Sequence, residues 1–304
     1  MPLAVIALGG NAFARAGRVG TPGEQIEAVR EAARDVVDLV EYGLDVVVTH
    51  GNGPQAGLLA ERVSDYLTLD MIDAATEGWM GYLLANAIMS ELRARGISKI
   101  PVAIVTRVTV DEYDESFKNP TKYIGPIYSE GEAERLAKAH GWVFKVDPRG
   151  GFRRVVASPE PKGVVEIGVI KALLKEGYIP IAVGGGGVPV VVDGEVRGVE
   201  AVVDKDLASQ VLANGLSADY LIILTDVDYV YLNYGKPNQR RLIKLTVDEA
   251  ERHLAEGQFP PGSMGPKVEA AIRFIRNGGK AAYIGPLGRG LDVYRGLVGT
   301  LITP

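Results

Sequence analysis

The chain has no cysteine and only three histidines, His50, His140 and His253, which lie far apart. Disulfides, thiolate metal sites and a cysteine nucleophile are thereby excluded, and a histidine-built zinc centre is not expected. The net charge of -5 supplies no basic face for nucleic acid. Eighteen consecutive apolar residues occur nowhere, so no membrane-spanning helix is expected. The start, MPLAVIALGGNAF, lacks a basic segment ahead of its apolar stretch and reads as a first strand rather than a signal peptide. The Walker A pattern is missing too, because Gly235-Lys236 runs into Pro237. What remains is a cytoplasmic protein with small-molecule partners.

Glycine is what the chain has in excess, with 38 in 304 residues. The glycines gather behind short apolar runs, where α/β proteins place ligand loops. LAVIALGG, LDVVVTHGNG, IPVAIVTRVTV, YIPIAVGGGG, ADYLIILTDVD and KAAYIG read as strands, several apolar throughout, as in a parallel sheet buried on both faces. Helices with readable ends alternate with them. The helix after Thr21 has Pro22 at its first position and Glu24 at its third, and it stops at Gly43. The predicted class is α/β, a three-layer α/β/α sandwich around a mainly parallel sheet. Residues 111–160 are polar and rich in Lys, Arg, Pro and Gly, with one helix near 129–139, and read as a small inserted lobe or lid. VPVVVDGEVRGVEAVVD reads as a hairpin around Asp193-Gly194. A domain boundary is placed before the strand at 179, giving domains 1–178 and 179–304.

Four strand ends carry glycine or a polar residue: GGN at 9–11, HGNGPQ at 50–55, GGGG at 184–187 and TDVD at 225–228. Any one of them is explained by a tight turn alone. Four at one edge of a sheet define a ligand cleft whose backbone N–H groups suit phosphate. Lysines follow the same logic. Lys205, between Asp204 and Asp206, and Lys267, in SMGPK, each stand in the first turn of a helix, where the dipole favours an anion over a cation. Each taken alone reads equally as a solvated surface lysine. A polyphosphate held between helix starts and lysines accounts for both. Lys122, between Asn119-Pro120 and Gly125-Pro126, reads either as a structured turn or as a lid lysine closing over an anion. Phosphoryl transfer needs such positioning and charge and, to an anionic acceptor, no general base. On this reading Lys267 should matter little to the empty protein and greatly to one turning over. GNGPQAG offers a rival, a loose dinucleotide fingerprint for a nicotinamide-dependent oxidoreductase.

ALGGNA, THGNGPQ, NPTKYIGPIY, VDPRGGFRRVV, GGGGVPV, DKDLAS, LTDVDYVYLNYG and PGSMGPKVEAAIRF, in that order over nearly the whole chain, resemble carbamate kinases of the amino-acid-kinase fold. The resemblance implies ATP + carbamate ⇌ ADP + carbamoyl phosphate with Mg²⁺ and a homodimer, the acceptor held by the N-terminal domain and the nucleotide by the C-terminal one. Carried over by motif, Lys122 acts from the lobe, Lys205 and Lys267 bind the transferring phosphate, and Asp204 orients the lysines. The resemblance further implies that Gly9, Gly10, Asn11, Gly51, Asn52 and Gly53 line the phosphoryl and carbamate site through backbone N–H groups. Gly184, Gly185, Asp226, Tyr231 and Met264 surround the nucleotide, with the metal held mainly through phosphates. Arg153 and Arg154 are left as lobe structure. Other kinases of this fold, such as those acting on N-acetylglutamate, and a non-catalytic nucleotide sensor remain the alternatives. One departure is Glu77 in TEGWMGY, where the family usually has glutamine. Facing the acceptor it would repel an anion; facing a helix neighbour it would be harmless.

Overall fold

The computed structural model describes residues 1–13, 20–147 and 150–304, with only the backbone of Asn11. An eight-stranded sheet forms the middle layer, in the order Lys244–Thr246, Thr300–Thr303, Ala281–Pro286, Tyr220–Thr225, Leu3–Leu8, Asp45–His50, Ile179–Ile181, Pro101–Ala103. The six strands from Ala281–Pro286 onward are parallel, and only the pairing of Ala281–Pro286 with Thr300–Thr303 is antiparallel. The strand Leu3–Leu8 shows why the inner strands are apolar on both faces. Val5 and Ala7 enter a core under the helices Lys205–Gly215 and Met264–Arg276, whereas Ala4, Ile6 and Leu8 enter a core under Pro22–Glu41 and Leu69–Ala94. Two cores on opposite faces of one sheet are the three-layer arrangement expected from the alternating pattern.

Local signals act as read. Thr21 accepts the N–H of Glu24 and the Glu24 carboxylate accepts that of Thr21, a complete capping box ahead of Pro22–Glu41. Val188–Val192 and Val196–Gly198 form the hairpin about Asp193-Gly194. Two segments differ from the sequence reading. The run IPVAIVTRVTV is two strands in different sheets, Pro101–Ala103 and Arg107–Thr109. Between them the Thr106 N–H is taken by the Glu77 carboxylate at 2.7 Å, which breaks the ladder. The first element after the predicted boundary, Ile179–Ile181, pairs with Asp45–His50 and Pro101–Ala103, and the hairpin beyond it pairs with Arg107–Thr109. Sheet pairing thus carries residues 179–198 with the first half of the chain.

The inserted lobe is more than a helix and loops. Lys122–Tyr128, Phe152–Val156 and Val143–Val146 make a three-stranded antiparallel sheet, backed by the helix Glu130–His140. It meets the body where Gly125, at φ +70°, lies on Gly57 of the helix Gly53–Val63. A Cβ at Gly57 would stand 2.4 Å from the Gly125 Cα, so the approach requires glycine at that helical position. Arg153 Nε donates to the Gly125 carbonyl at 2.7 Å, holding the same turn from inside the lobe. Gly57→Ala should therefore push the lobe off the body. The expected loss in kcat/KM is on the order of 10²-fold, with a smaller change in melting temperature. Steady-state kinetics beside thermal unfolding checks this, and wild-type kinetics would show that the contact does not place the lobe.

Candidate functional site

Because the neighbouring strands Tyr220–Thr225, Leu3–Leu8, Asp45–His50 and Ile179–Ile181 run parallel, the four loops picked out in the sequence open from one sheet edge. The first two glycine loops are knitted into the sheet at their first residue. Gly9 N–H donates to the Leu224 carbonyl and Gly51 N–H to the Leu8 carbonyl. These two N–H groups are thus spent on structure, contrary to the expectation that all six loop amides serve the ligand. Among the described residues, the donors left at the two loop starts are those of Gly10, Asn52 and Gly53. Asn11 follows Gly10 in the same turn, and its side chain lies outside the described residues. The Asn52 side chain is turned inward, donating to Asp73 Oδ1 at 3.1 Å and to Thr76 Oγ1 at 2.9 Å.

Lys205 and Lys267 meet at one carboxylate, and it is that of Asp206 rather than Asp204. Asp206 offers one oxygen to Lys205 Nζ at 2.5 Å and the other to Lys267 Nζ at 3.1 Å. Burial alone would raise the Asp206 carboxyl, but the two ammonium groups hold it far below the usual carboxylate range. Burial and the like charge of Lys267 bring Lys205 below the ordinary lysine value, against the pull of Asp206. At Lys267 burial also opposes the charge, yet Asp206 carries it above that value. Asp204 does another job. It caps the helix Lys205–Gly215 through Oδ1 to the Asp206 N–H at 2.9 Å, and its Oδ2 receives Lys122 Nζ from the lobe at 2.6 Å. The sequence reading set Asp206 beside Lys205 and gave it no role in the site. The clue lay in the DKD pattern, since alternation at a helix start can turn one carboxylate outward as cap and the next inward.

Lys267 also lines a cavity of about 220 Å³ with Asp226, Tyr231 and Met264. Tyr229 and Tyr234, which the sequence reading did not single out, complete an aromatic wall there. The helix Met264–Arg276 has no side-chain cap at its start and no acidic residue in its first turn; its Gly265 N–H is taken by the Pro260 carbonyl and Pro266 has none, so what it offers an anion is chiefly its dipole. Lys205 faces the other way. Its Cδ stands 3.3 Å from where a Cβ of Gly51 would lie. Asp206 thus ties a lysine of the aromatic cavity to a lysine of the glycine loops.

Gly184 and Gly185, expected beside the nucleotide, lie elsewhere. A Cβ at Gly184 would meet His50 and Glu77, and one at Gly185 would meet Asn52, so both pack under the first-half loops. Glu77 is the neighbour that holds them. It is buried, accepts the Thr106 N–H and has its carboxyl pushed well above the usual range, first by desolvation. Spent on the backbone of that loop, it faces neither solvent nor another helix's surface. His50 beside it is neutral, lowered to about 4 by burial, and hydrogen-bonds the Gly51 carbonyl through Nδ1, which therefore carries the proton.

The amino acid kinase family model matches residues 2–286. Carbamate kinase of Pyrococcus horikoshii is 48% identical over 309 residues, covering 99% of this chain and 98% of that protein. A solved structure from Aeropyrum pernix K1 superposes with a TM-score of 0.94 at 47% identity, covering 99% of both chains. Carbamate kinase from Giardia lamblia bound to AMP-PNP does so with a TM-score of 0.90 at 38% identity, over 99% of this chain and 98% of that one. The chain belongs to the amino acid kinase family, and within it to the carbamate kinases. Among the described residues no helix is long and apolar enough to cross a membrane.

Asp206→Asn tests the organiser directly. It leaves two buried ammonium groups without their carboxylate and should cost about 3–5 kcal/mol in the empty protein. A polyphosphate would neutralise the same lysines. Pyrophosphate should therefore raise the melting temperature of the variant more than that of the wild type. Equal shifts would place the anion away from Lys205 and Lys267.

Proposed function

We propose that the protein transfers a phosphoryl group between ATP and carbamate, forming ADP and carbamoyl phosphate, and the reverse. The observation that carries this reading is the Asp206 bridge, which joins Lys267 of the aromatic cavity to Lys205 beside Gly51. Nucleotide occupies the cavity of Asp226, Tyr231 and Met264, with its base against the tyrosines. Carbamate occupies the side of Gly10, Asn52 and Gly53. A carbamate oxygen attacks the terminal phosphorus as the bond to the ADP oxygen breaks. The acceptor is already an anion, so no proton has to move and no base is required. Charge building on the equatorial oxygens is met by Lys205, Lys267 and the free loop amides, all held in place before the reaction begins. Lys122 joins them from the lobe, released from Asp204 towards the phosphoryl group as the donor and acceptor are enclosed.

Magnesium fits this reading as a passenger on the nucleotide phosphates, where it would neutralise charge. Its preference for phosphate and water oxygens needs at most one or two protein carboxylates, and Asp226, lining the cavity beside Lys267, is the one placed to contribute. Among the described residues no three His, Asp or Glu side chains gather to hold a metal alone. The same reading takes the protein as a cytoplasmic homodimer. The helix Leu69–Ala94 supports the dimer, its apolar residues not being confined to one face and Met71 and Tyr82 being left exposed.

The test supplies ADP, Mg²⁺ and carbamoyl phosphate and measures ATP. ATP formation is expected, and none above a folded Lys267→Ala control would sink the proposal. Lys205→Ala should lower kcat by about 10²-fold or more, as for the loss of one preorganised electrostatic group. Lys122→Ala should lower kcat while leaving ADP affinity, measured by calorimetry, unchanged. If Lys122→Ala weakened ADP binding as much as turnover, the lobe would belong to the nucleotide site instead.

A further inference from the structure

A second cavity, of about 390 Å³, lies where the lobe meets the body and shares no lining residue with the aromatic one. His140, Trp142 and Arg154 line it from the lobe, and Leu69, Ile72 and Glu200 from the body. Its wall is mixed, with Ser64, His140 and Glu200 among the apolar side chains, and Arg154 is the buried charge in it. Its side chain is only 11% exposed and makes no hydrogen bond among the described residues. The guanidinium rests 4.0 Å from the centre of the Trp142 ring. The carboxylate nearest to it, on Glu200, stands 3.9 Å away, beyond hydrogen-bonding distance. Glu200 is itself half outside, with Oε1 already accepting the Leu69 N–H at 3.0 Å.

Burial of a guanidinium without acceptors is costly. Desolvation lowers Arg154 to about 10, which still leaves it a cation at neutral pH. Its nitrogens are not among the side-chain atoms sealed in the interior without a partner, and the residue lines the cavity. Arg153, one residue earlier, shows the contrast, since its Nε is bound to the Gly125 carbonyl and its side chain belongs to the lobe turn. A fork of N–H donors stacked on an indole, in a chamber that Leu67, Leu69 and Ile72 also line, matches a planar carboxylate with an apolar part. The volume is in the range of small-molecule sites.

The cavity's position gives such a ligand a consequence. Lys122 opposes Val156 and Ile124 opposes Arg154 in the lobe hairpin, so all four side chains share one face of it. Lys122 reaches Asp204 at one end of that face, Ile124 and Val156 pack on Leu69 and Val202 in its middle, and Arg154 reaches the cavity at the other. A molecule in the cavity touches lobe and body together. Its binding is coupled to any movement of the hairpin that carries Lys122.

We propose that this cavity binds a small organic carboxylate, its carboxylate on Arg154 and its apolar part against Trp142, Leu69 and Ile72, and that its occupancy biases the setting of the lobe. The binding half stands whether or not the acceptor is carbamate. Trp142 is one of two tryptophans, so Trp79→Phe makes it the only one, read by excitation beyond the tyrosine band. Benzoate titrated into that protein should change the emission saturably in the millimolar range, the affinity of a few good contacts. Methyl benzoate, equal in shape but uncharged, should not. Arg154→Met, which keeps the packing on the indole, should weaken benzoate at least tenfold. ADP and carbamoyl phosphate should not displace it.

An unsaturated response, an ester as good as the anion, or displacement by ADP would each overturn the site, and the ester comparison does so without relying on any variant at Arg154. For the coupling, benzoate should shift the KM for carbamoyl phosphate severalfold in the Arg154 protein and leave it unmoved in Arg154→Met. Binding without that shift would overturn the link to the lobe. Failure of ATP formation alone would count against the proposed reaction and leave the fluorescence result standing.

Discussion

Two ammonium groups and one carboxylate, closed off from water at the edge of a sheet, set the terms for everything around them. Asp206 can keep Lys205 and Lys267 charged in a buried place only because it meets both, one with each oxygen. That geometry demands that two helices begin at the same point. The helix Lys205–Gly215 supplies the carboxylate and one lysine, and Met264–Arg276 brings the other. Both helices lie on the same face of the sheet and bury Leu212 and Phe274 in the same core. The packing of that layer is therefore what holds the charges within reach of each other.

The same interaction changes how Lys267 is to be understood. From its place in a first turn it looked like a residue idle in the empty protein and active only in turnover. With Asp206 buried against it, Lys267 is part of what makes the empty protein stable, and removing it leaves half a carboxylate uncompensated. In the proposed reaction the structural and catalytic roles coincide for a physical reason. Lysines kept charged out of water are held in position before substrate arrives, and preorganised charge is what a loose phosphoryl transition state requires.

Asp204 and Glu77 show how neighbouring acids take different work. Asp204 sits at the cap position of its helix, satisfies the amides there and keeps one oxygen for the lobe lysine. Glu77, where the sequence reading expected a glutamine, is used on the backbone at Thr106, between Pro101–Ala103 and Arg107–Thr109. Its burial favours the protonated acid, which can stand where an amide otherwise would. The lobe, for its part, is tied to the body at separated points: an ion pair at Lys122, an apolar patch at Ile124 and Val156, a glycine-to-glycine contact at Gly125 and the open chamber at Arg154.

Much was determined by the chain alone. Apolar runs without alternation define strands buried on both faces, and Thr21, Pro22 and Glu24 define a helix start, because these signals act over a few neighbouring residues. The three lysines were legible as a set because each stands in a local context that has no need of a lysine. Tertiary structure decided what depends on partners far apart in sequence. It gave Asp206 rather than Asp204 to the buried lysines and placed Gly184 and Gly185 against His50, Glu77 and Asn52. It spent the amides of Gly9 and Gly51 on neighbouring strands, and it left Arg154 facing a chamber instead of a carboxylate. Hydrogen bonds and burial are properties of the assembled surroundings, so a residue type names the bonds it can make, and only the fold selects which of them it does.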